Sequence, residues 1–212
     1  MNGLVGSAIA VPKPRRTQAA RTAATRAQLL DATIECLSEL GYARTTTSEI
    51  AERAGVSRGA QLHHFPTKAE LVITAVDHLF ARRHEEFVAA IAALPAGADR
   101  AAAAIDLLWK MVSGPTFFAW LELAVAARTD PDLRDSVASL SRRFMDVVRT
   151  TFPQLFPPPA QPNAFYEVAP MFVFALMDGL AVNQMHDRDL ESLDKILTAL
   201  KSLARLAVPA KD

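Results

Sequence analysis

A short segment of the chain combines polar side chains with two very small residues. In SRGAQLHH, we expect Arg58, Gln61 and His63 on the outer side of a helix, where Gly59 and Ala60 add little bulk. Arginine and glutamine can form paired hydrogen bonds to the edges of guanine and adenine in the major groove. Small neighbours allow a helix to approach the groove wall closely. The segment is therefore a candidate for reading base sequence in duplex DNA.

Groups that could hold phosphate lie close to this segment. Thr46, Thr47, Ser57 and Lys68 stand at the starts of predicted helices. Hydroxyls, free backbone N–H groups and a positive charge at such positions bind phosphate and fix register without reading sequence. With His64 added, the predicted DNA-contacting residues are Thr46, Thr47, Ser57, Arg58, Gly59, Ala60, Gln61, His63, His64 and Lys68.

Three helix starts position these residues. Thr46 and Glu49 have the spacing of a capping box, and Thr67 and Glu70 repeat it. Between them, Gly55 ends one short helix and Ser57 caps the next, which Phe65-Pro66 terminates. Upstream, apolar residues from Leu29 to Leu40 follow a helical period, and Gly41 ends that helix. The pattern predicts a three-helix helix-turn-helix domain over residues 23–66.

The chain from about Gln28 to Leu71 resembles the DNA-binding domain of the TetR family of bacterial transcriptional regulators. The resemblance rests on the AGVS turn, the HFPTK junction and the acidic-apolar step after it, all in register. It implies a DNA-binding, ligand-responsive homodimer, most simply a repressor. One departure is Leu62, where the family usually has a tyrosine that touches phosphate.

Residues 1–22 mix small residues, prolines and arginines, and are expected to form a mobile basic arm. Lys13 to Arg26 contains basic residues and no acidic ones. The arm is either a disordered start or a segment that touches phosphate or the minor groove, and both interpretations stay open.

Residues 67–212 are predicted to form a helical sensor and dimerisation domain, so the expected fold class is all-α. The helix launched from Thr67 should link it to the DNA-binding domain. Aromatic residues, Met177 and Asp178 lie on the middle helices, and ordinary core packing is the commoner role for any one of them. Because the resemblance implies a cavity for a largely apolar effector, the candidate ligand-binding residues are Trp109, Phe117, Phe118, Trp120, Phe144, Phe172, Met177 and Asp178, with Phe165 beside them.

The last two helices carry more apolar surface than one protomer needs. The segment PMFVFALM is apolar nearly all round, and a leucine stripe follows it. LMDGLAVNQM also resembles the family's dimer helix. We therefore predict a four-helix bundle with a second copy, although both helices could instead close a monomeric core. The predicted interface residues are Leu176, Leu180, Leu193, Leu197 and Leu200.

Catalysis, cofactors and metal binding are not expected. No HExxH or phosphate-binding glycine loop occurs. His63 and His64 point about 100° apart on a helix, which one metal ion cannot easily bridge. Asp106, Glu122 and Asp178 could be paired acids, but such residues more often satisfy a buried backbone group or bind a ligand's polar end. A transcriptional activator, or a helical ligand-binding protein or enzyme with an idle helix-turn-helix, remains an alternative.

A cytoplasmic location without membrane insertion is expected. The single cysteine, Cys36, fits a reducing compartment and lies within an apolar stripe. The opening segment lacks the charged region of a signal peptide. The longest strongly apolar run, Val168 to Met177, is shorter than the roughly 20 residues that span a bilayer.

Overall fold

Helices are the only regular elements in the residues that the computed structural model describes, which are 17–161, 163–186 and 189–207. The all-α prediction is confirmed. In chain order the helices are α1 (Gln18–Arg44), α2 (Thr47–Arg53), α3 (Arg58–His64), α4 (Lys68–Ala92), α5 (Arg100–Val112), α6 (Pro115–Ala127), α7 (Pro131–Leu155), α8 (Ala164–Asn183) and α9 (Leu190–Ala207).

The first helix begins earlier than the sequence pattern predicts. Thr17 caps α1, and its hydroxyl accepts a hydrogen bond from the backbone N–H of Ala20 at 3.2 Å. The alanine-rich residues that follow favour helix, so the expectation that the arm extends to Thr22 is wrong from Gln18 onward. Residues 1–16, where the rest of that predicted arm falls, lie outside the described residues.

Gly41 breaks α1 at the position predicted for its end. Its φ of 75° and ψ of 167° are non-helical, and the chain resumes a short helical turn to Arg44. A positive φ is readily adopted by glycine and is costly for other residues. The break directs the chain toward α2.

The helix-turn-helix has its own small core. Leu29, Leu30, Ile50 and Phe65 are each 2% exposed or less and pack in one cluster with Cys36. Burial raises the pKa of the Cys36 thiol, which disfavours the reactive thiolate. Cys36 is therefore a core residue, as the sequence predicted.

A second cluster joins α1 to α4, α6 and α7. Leu37, Val76, Leu123 and Leu140 are fully buried in it. Burying one such side chain stabilises a fold by about 1.5–3 kcal/mol. Helix α1 is consequently packed directly on α4 and α6, and α4 in turn packs on α7.

Helices α7 and α8 each have an unusual composition. Helix α7 continues through Pro153 to Leu155. Proline lacks a backbone N–H, so it removes one hydrogen bond from the helix. Because Pro153 lies two residues before the end of α7, only the last turn of the helix is affected. Among the described residues, α8 is the one helix long and apolar enough to cross a membrane by length and composition. Only 22% of an 18-residue apolar stretch of α8 is buried in the protomer, so much of the helix surface is uncovered.

Candidate functional site

The candidate DNA-contacting helices are held by three hydroxyl caps. Thr46 accepts from the Glu49 N–H at 3.1 Å, Ser57 from the Ala60 N–H at 3.2 Å, and Thr67 from the Glu70 N–H at 3.1 Å. Each cap satisfies one of the N–H groups that a helix leaves without an internal partner. The predicted starts of α2, α3 and α4 are confirmed.

The outer face of α3 is exposed and carries both polar and apolar side chains. Arg58, Gly59, Leu62 and His63 are exposed, and Leu62 is 46% accessible. Among the described residues, Arg58 makes no ion pair. The next side chain, at Ala60, is small and half-buried. This face presents one free cation, one imidazole and little bulk.

Gln61 does not belong to that face, and the expectation that it is exposed is wrong. Its side chain is 0% exposed, and Nε2 donates to the carbonyl oxygen of Phe65 at 2.8 Å. The amide thus closes the C-terminal turn of α3, because it sits on the side of the helix that packs inward with Phe65. Its Oε1 is buried without a hydrogen-bond partner among the described residues. Glutamine is usually a surface residue, so the residue type did not predict a buried hydrogen bond at this position.

Lys68 also turns inward, which the sequence did not predict. Its ammonium donates to the carbonyl oxygen of Tyr42 at 2.6 Å and lies 3.9 Å from the centre of the Tyr42 ring. Burial lowers the pKa of Lys68, against a smaller opposing effect of Asp130. The lysine therefore ties the start of α4 to the end of α1, and its proposed phosphate contact would require this pairing to open.

The remaining predicted contacts stay at the rim of the same surface. Thr46 and Ser57 are exposed, and Thr47 and His64 are half-buried. The rings of His63 and His64 pack edge to face with centres 5.6 Å apart.

A carboxylate on α6 contacts the end of α1. Glu122, on α6, accepts a hydrogen bond from the backbone N–H of Tyr42 at 2.9 Å. A Cβ atom at the preceding Gly41 would lie 2.7 Å from the same Glu122 oxygen. Ser38 adds a second link by donating to the carbonyl oxygen of Pro115 at 2.8 Å. We call this set of contacts the α1–α6 junction.

Glu122 and its two companion acids have three different environments. Glu122 satisfies a backbone N–H, which is the ordinary role considered for it from sequence. Asp106 pairs with Lys201 at 2.6 Å. Burial raises the pKa of Asp178, which lies on the wall of a cavity.

That cavity has a volume of about 260 Å³, is lined by residues of α4, α5, α6, α7, α8 and α9, and is partly open to solvent. Its walls are mainly apolar. Aromatic rings line one side in contact with one another: the centres of Phe80 and Trp120 are 5.2 Å apart, those of Phe80 and Phe144 4.5 Å, and those of Phe144 and Phe174 5.4 Å. An apolar cavity with few polar groups suits a small organic ligand.

Only part of the predicted ligand set reaches this cavity. Phe117, Trp120, Phe144 and Asp178 line it, as does Phe165. Trp109, Phe118 and Met177 pack instead in the core formed by α5, α6, α8 and α9, and Phe172 is 42% exposed on the outside of α8. The helical period identified the apolar faces of these helices, but it could not show which of those faces line a cavity and which pack in the core. Sequence reasoning also missed the polar wall residues Arg83 and His84 on α4.

The predicted dimer residues lie in the core of the protomer and not on its surface, so this prediction is wrong. Leu180, Leu193, Leu197 and Leu200 are 8% exposed or less because α5, α8 and α9 pack around them, and Leu176 packs against the same cluster. Other apolar side chains, on α8, on α9 and in the turn that follows α8, are exposed instead. We call these the α8–α9 face: Val168, Met171, Phe172, Met185, Ile196, Leu203 and Leu206.

Comparison with known proteins identifies the family. Residues 29–75 match the profile described as "Bacterial regulatory proteins, tetR family". Over 191 residues the chain is 31% identical to the HTH-type transcriptional regulator CymR of Pseudomonas putida, covering 90% of this chain and 94% of that protein. The chain belongs to the TetR family. It is a DNA-binding transcriptional regulator of the helix-turn-helix type, and the resemblance found in the sequence is confirmed.

Solved TetR-like folds extend the similarity over nearly the whole chain. A transcriptional regulator from Rhodococcus sp. Rha1 has a TM-score of 0.65 at 24% identity, covering 88% of this chain and 99% of that chain. A regulator from Saccharomonospora viridis, solved in complex with choline, has a TM-score of 0.64 at 18% identity, covering 85% and 95%. At these identities the likeness establishes the shared fold of this TetR-family member and its helical C-terminal part.

Proposed function

We propose that this TetR-family protein is a homodimeric repressor that releases its operator when a small, largely apolar effector enters the cavity. The outer face of α3 carries the proposal. A capped helix there exposes Arg58 and His63 while its opposite side is fixed by buried Gln61 and Phe65.

Base reading is assigned to Arg58, with His63 beside it, and the small residues Gly59 and Ala60 permit close approach. Thr46, Thr47, Ser57 and His64 are assigned to the phosphates on either side. Leu62 is exposed on α3 and has no hydrogen-bonding group in its side chain, so we expect no side-chain hydrogen bond to phosphate there.

The proposed occupant of the α8–α9 face is a second copy of the chain. The support is the amount of apolar surface that α8 leaves uncovered, together with the exposed edge of α9 at Ile196, Leu203 and Leu206. Two copies related by a two-fold axis would cover this surface and present two α3 helices. Successive major grooves on one face of DNA lie about 34–36 Å apart, so the spacing of the two helices would govern affinity.

Effector response is proposed to act through the two elements shared by the cavity and the DNA-binding helices. The first is α4, which lines the cavity at Phe80 and Arg83 and starts at Lys68 against Tyr42. The second is α6, which lines it at Trp120 and holds the end of α1 through Glu122. A ligand shifts the protein toward a weak-binding arrangement only by the difference in its affinity for the two states.

The proposal includes no catalytic step, no metal and no cofactor. It places the protein in the cytoplasm, where its operator lies, and assigns the apolar surface of α8 to another protomer and not to a membrane.

A gel shift with the DNA upstream of the protein's own gene tests the proposal. The expected result is a complex that resists competitor DNA and rising salt, because specific contacts add to the salt-sensitive phosphate contacts. Reporter transcription from the same segment should rise when the gene is deleted. A complex no stronger than that with scrambled DNA would favour an idle helix-turn-helix, and reporter transcription that falls on deletion would favour an activator.

A further inference from the structure

One basic side chain on the cavity wall has an unused hydrogen-bond donor. Arg83, on α4, donates from Nη1 to Glu86 at 2.8 Å and from Nη2 to the Thr116 hydroxyl at 3.3 Å. Its Nε is buried and has no partner among the described residues. Buried donors are rarely left unpaired because each costs the protein its lost hydration. Arg83 lines the cavity with a side chain that is 36% exposed, and its Nε is available to an acceptor that enters the cavity.

The neighbouring helix start also favours negative charge. Arg83 contacts Thr116 in the first turn of α6, a helix of 13 residues whose N-cap, Gly114, supplies no side-chain hydrogen bond. The N-terminal end of a helix carries a partial positive charge and binds anions. The guanidinium and the start of α6 thus contribute positive potential to the same corner of the cavity.

Nearby acids leave that corner positive enough to attract an anion. Glu86 accepts from Nη1 of Arg83, lies 3.9 Å from Nε of Arg82 and is 46% exposed, so Arg82 and solvent both offset its charge. Asp178 is the acidic residue on the cavity wall. Burial raises the pKa of Asp178, which makes its charged form less favourable than that of an exposed aspartate.

The rest of the cavity defines the body of the ligand. Phe80, Trp120, Phe144 and Phe174 form a continuous aromatic wall. The volume of about 260 Å³ is below the roughly 300–1,000 Å³ common for small-molecule pockets. One aromatic ring with a short substituent suits this space better than a fused or extended ligand.

We propose that the cavity binds a small aromatic carboxylate whose carboxylate group accepts hydrogen bonds from Arg83 beside the start of α6. This inference rests on the proposed function, which makes the cavity an effector site. Charge-assisted hydrogen bonds from arginine to a carboxylate are about twice as strong as neutral ones, and the aromatic wall would stack against the ring.

The main competitor is a cationic ligand held by Asp178 against the same rings. Aromatic faces attract cations, but Arg83 and the start of α6 would oppose one in a cavity this small. The sign of the charge that the cavity prefers separates the two ligand classes.

Three probes with one apolar body measure that preference in the full-length protein. They are 3-phenylpropanoate, 3-phenylpropanamide and 3-phenylpropylammonium, titrated by calorimetry at neutral pH. The carboxylate should bind at least about tenfold more tightly than the amide, as expected for loss of one charged hydrogen bond, and the ammonium should bind more weakly still. Tightest binding of the ammonium, equal binding of all three, or binding of none would overturn the proposal.

Two variants locate the preference at Arg83. Arg83→Met should reduce carboxylate affinity about tenfold and leave amide affinity within about twofold. Arg82→Met is the matched control. Arg82 is adjacent, is 45% exposed and lies outside the cavity wall, where it pairs with Asp31 at 3.4 Å and with Glu86 at 3.9 Å. The variant removes the same charge beside Glu86 and should retain the preference. If Arg83→Met still bound the carboxylate more tightly than the amide, the assignment to Arg83 would be wrong. If that variant did not fold, the wild-type protein would decide, and equal wild-type affinities for amide and carboxylate would contradict the assignment.

Operator release is measured separately with the same probes. Carboxylate binding that leaves the operator complex intact would contradict the proposed effector response and leave the ligand class standing. Operator release by the ammonium alone would contradict the ligand class and leave the effector response standing.

Discussion

Arg58 is the long cationic side chain on the exposed face of α3, and its lack of an ion-pair partner among the described residues leaves its guanidinium available to DNA. We expect Arg58→Ala to weaken operator binding by about 1–3 kcal/mol and to relax preference at one base position. Fluorescence anisotropy with the operator and its single-base variants measures both effects.

Arg142→Ala is the matched control for that experiment, because Arg142 is exposed on α7, away from α3. It should leave affinity and base preference unchanged. An equal loss on every sequence with Arg58→Ala would mean that Arg58 holds phosphate and does not read a base.

Gln61 should affect stability more than base preference. Its amide donates to Phe65 in a fully buried position, so Gln61→Ala removes a hydrogen bond and leaves the carbonyl of Phe65 unpaired. We expect a loss of about 1–3 kcal/mol in the free energy of unfolding, measured by chemical denaturation. At protein concentrations that saturate the operator, the base preferences of the Gln61→Ala variant should equal those of the wild type. Lost preference at one position with unaltered stability would restore the interpretation of Gln61 as a base reader.

At the scale of the element, α1 and α6 meet where Gly41 and Glu122 touch. Glu122→Ala should cost about 1 kcal/mol of stability, because the Tyr42 N–H at this solvent-accessible junction loses a charged acceptor. Gly41→Ala should cost more, since a Cβ at Gly41 meets both a positive φ and the Glu122 oxygen.

The double variant separates strain from contact at the α1–α6 junction. If Glu122 is the obstacle, Gly41→Ala should cost less in the Glu122→Ala background than in the wild type, which a double-mutant cycle measures by denaturation. Strictly additive costs would mean that only the backbone conformation of Gly41 matters.

The other element-scale prediction concerns the α8–α9 face. Leu203→Asp, at a position 45% exposed, should give a folded monomer because the two-fold interface would bury two charges. Dimer affinity should fall by at least about 3 kcal/mol, measured by analytical ultracentrifugation. Val125→Asp is the control, since Val125 is exposed on α6 outside this face.

A dimer that persists in Leu203→Asp would rule out the α8–α9 face as the interface. Leu197→Asp is not a clean test, because Leu197 is 8% exposed in the protomer core and its loss would unfold the chain.

For the whole molecule, local chemistry in the sequence predicted local structure well. The hydroxyl caps at Thr46, Ser57 and Thr67 and the glycine at Gly41 depend on residues only a few positions apart, so their spacing was sufficient. The helical period likewise predicted the apolar stripe of α9.

What the sequence could not predict depends on partners distant in the chain. The α9 stripe could have faced another protomer, but α5 and α8 cover Leu193, Leu197 and Leu200. Glu122 and Tyr42 are 80 positions apart, and no spacing rule links them. The unused donor of Arg83 becomes visible only when the walls of the cavity are assembled.

The central claim is that two copies of this chain read DNA together through α3. Selection of bound duplexes from a random library by the full-length protein, followed by sequencing, tests it most directly. We predict an inverted repeat whose half-sites are centred about one helical turn, or a multiple of it, apart. No enriched sequence, or a single half-site without its repeat, would contradict the account.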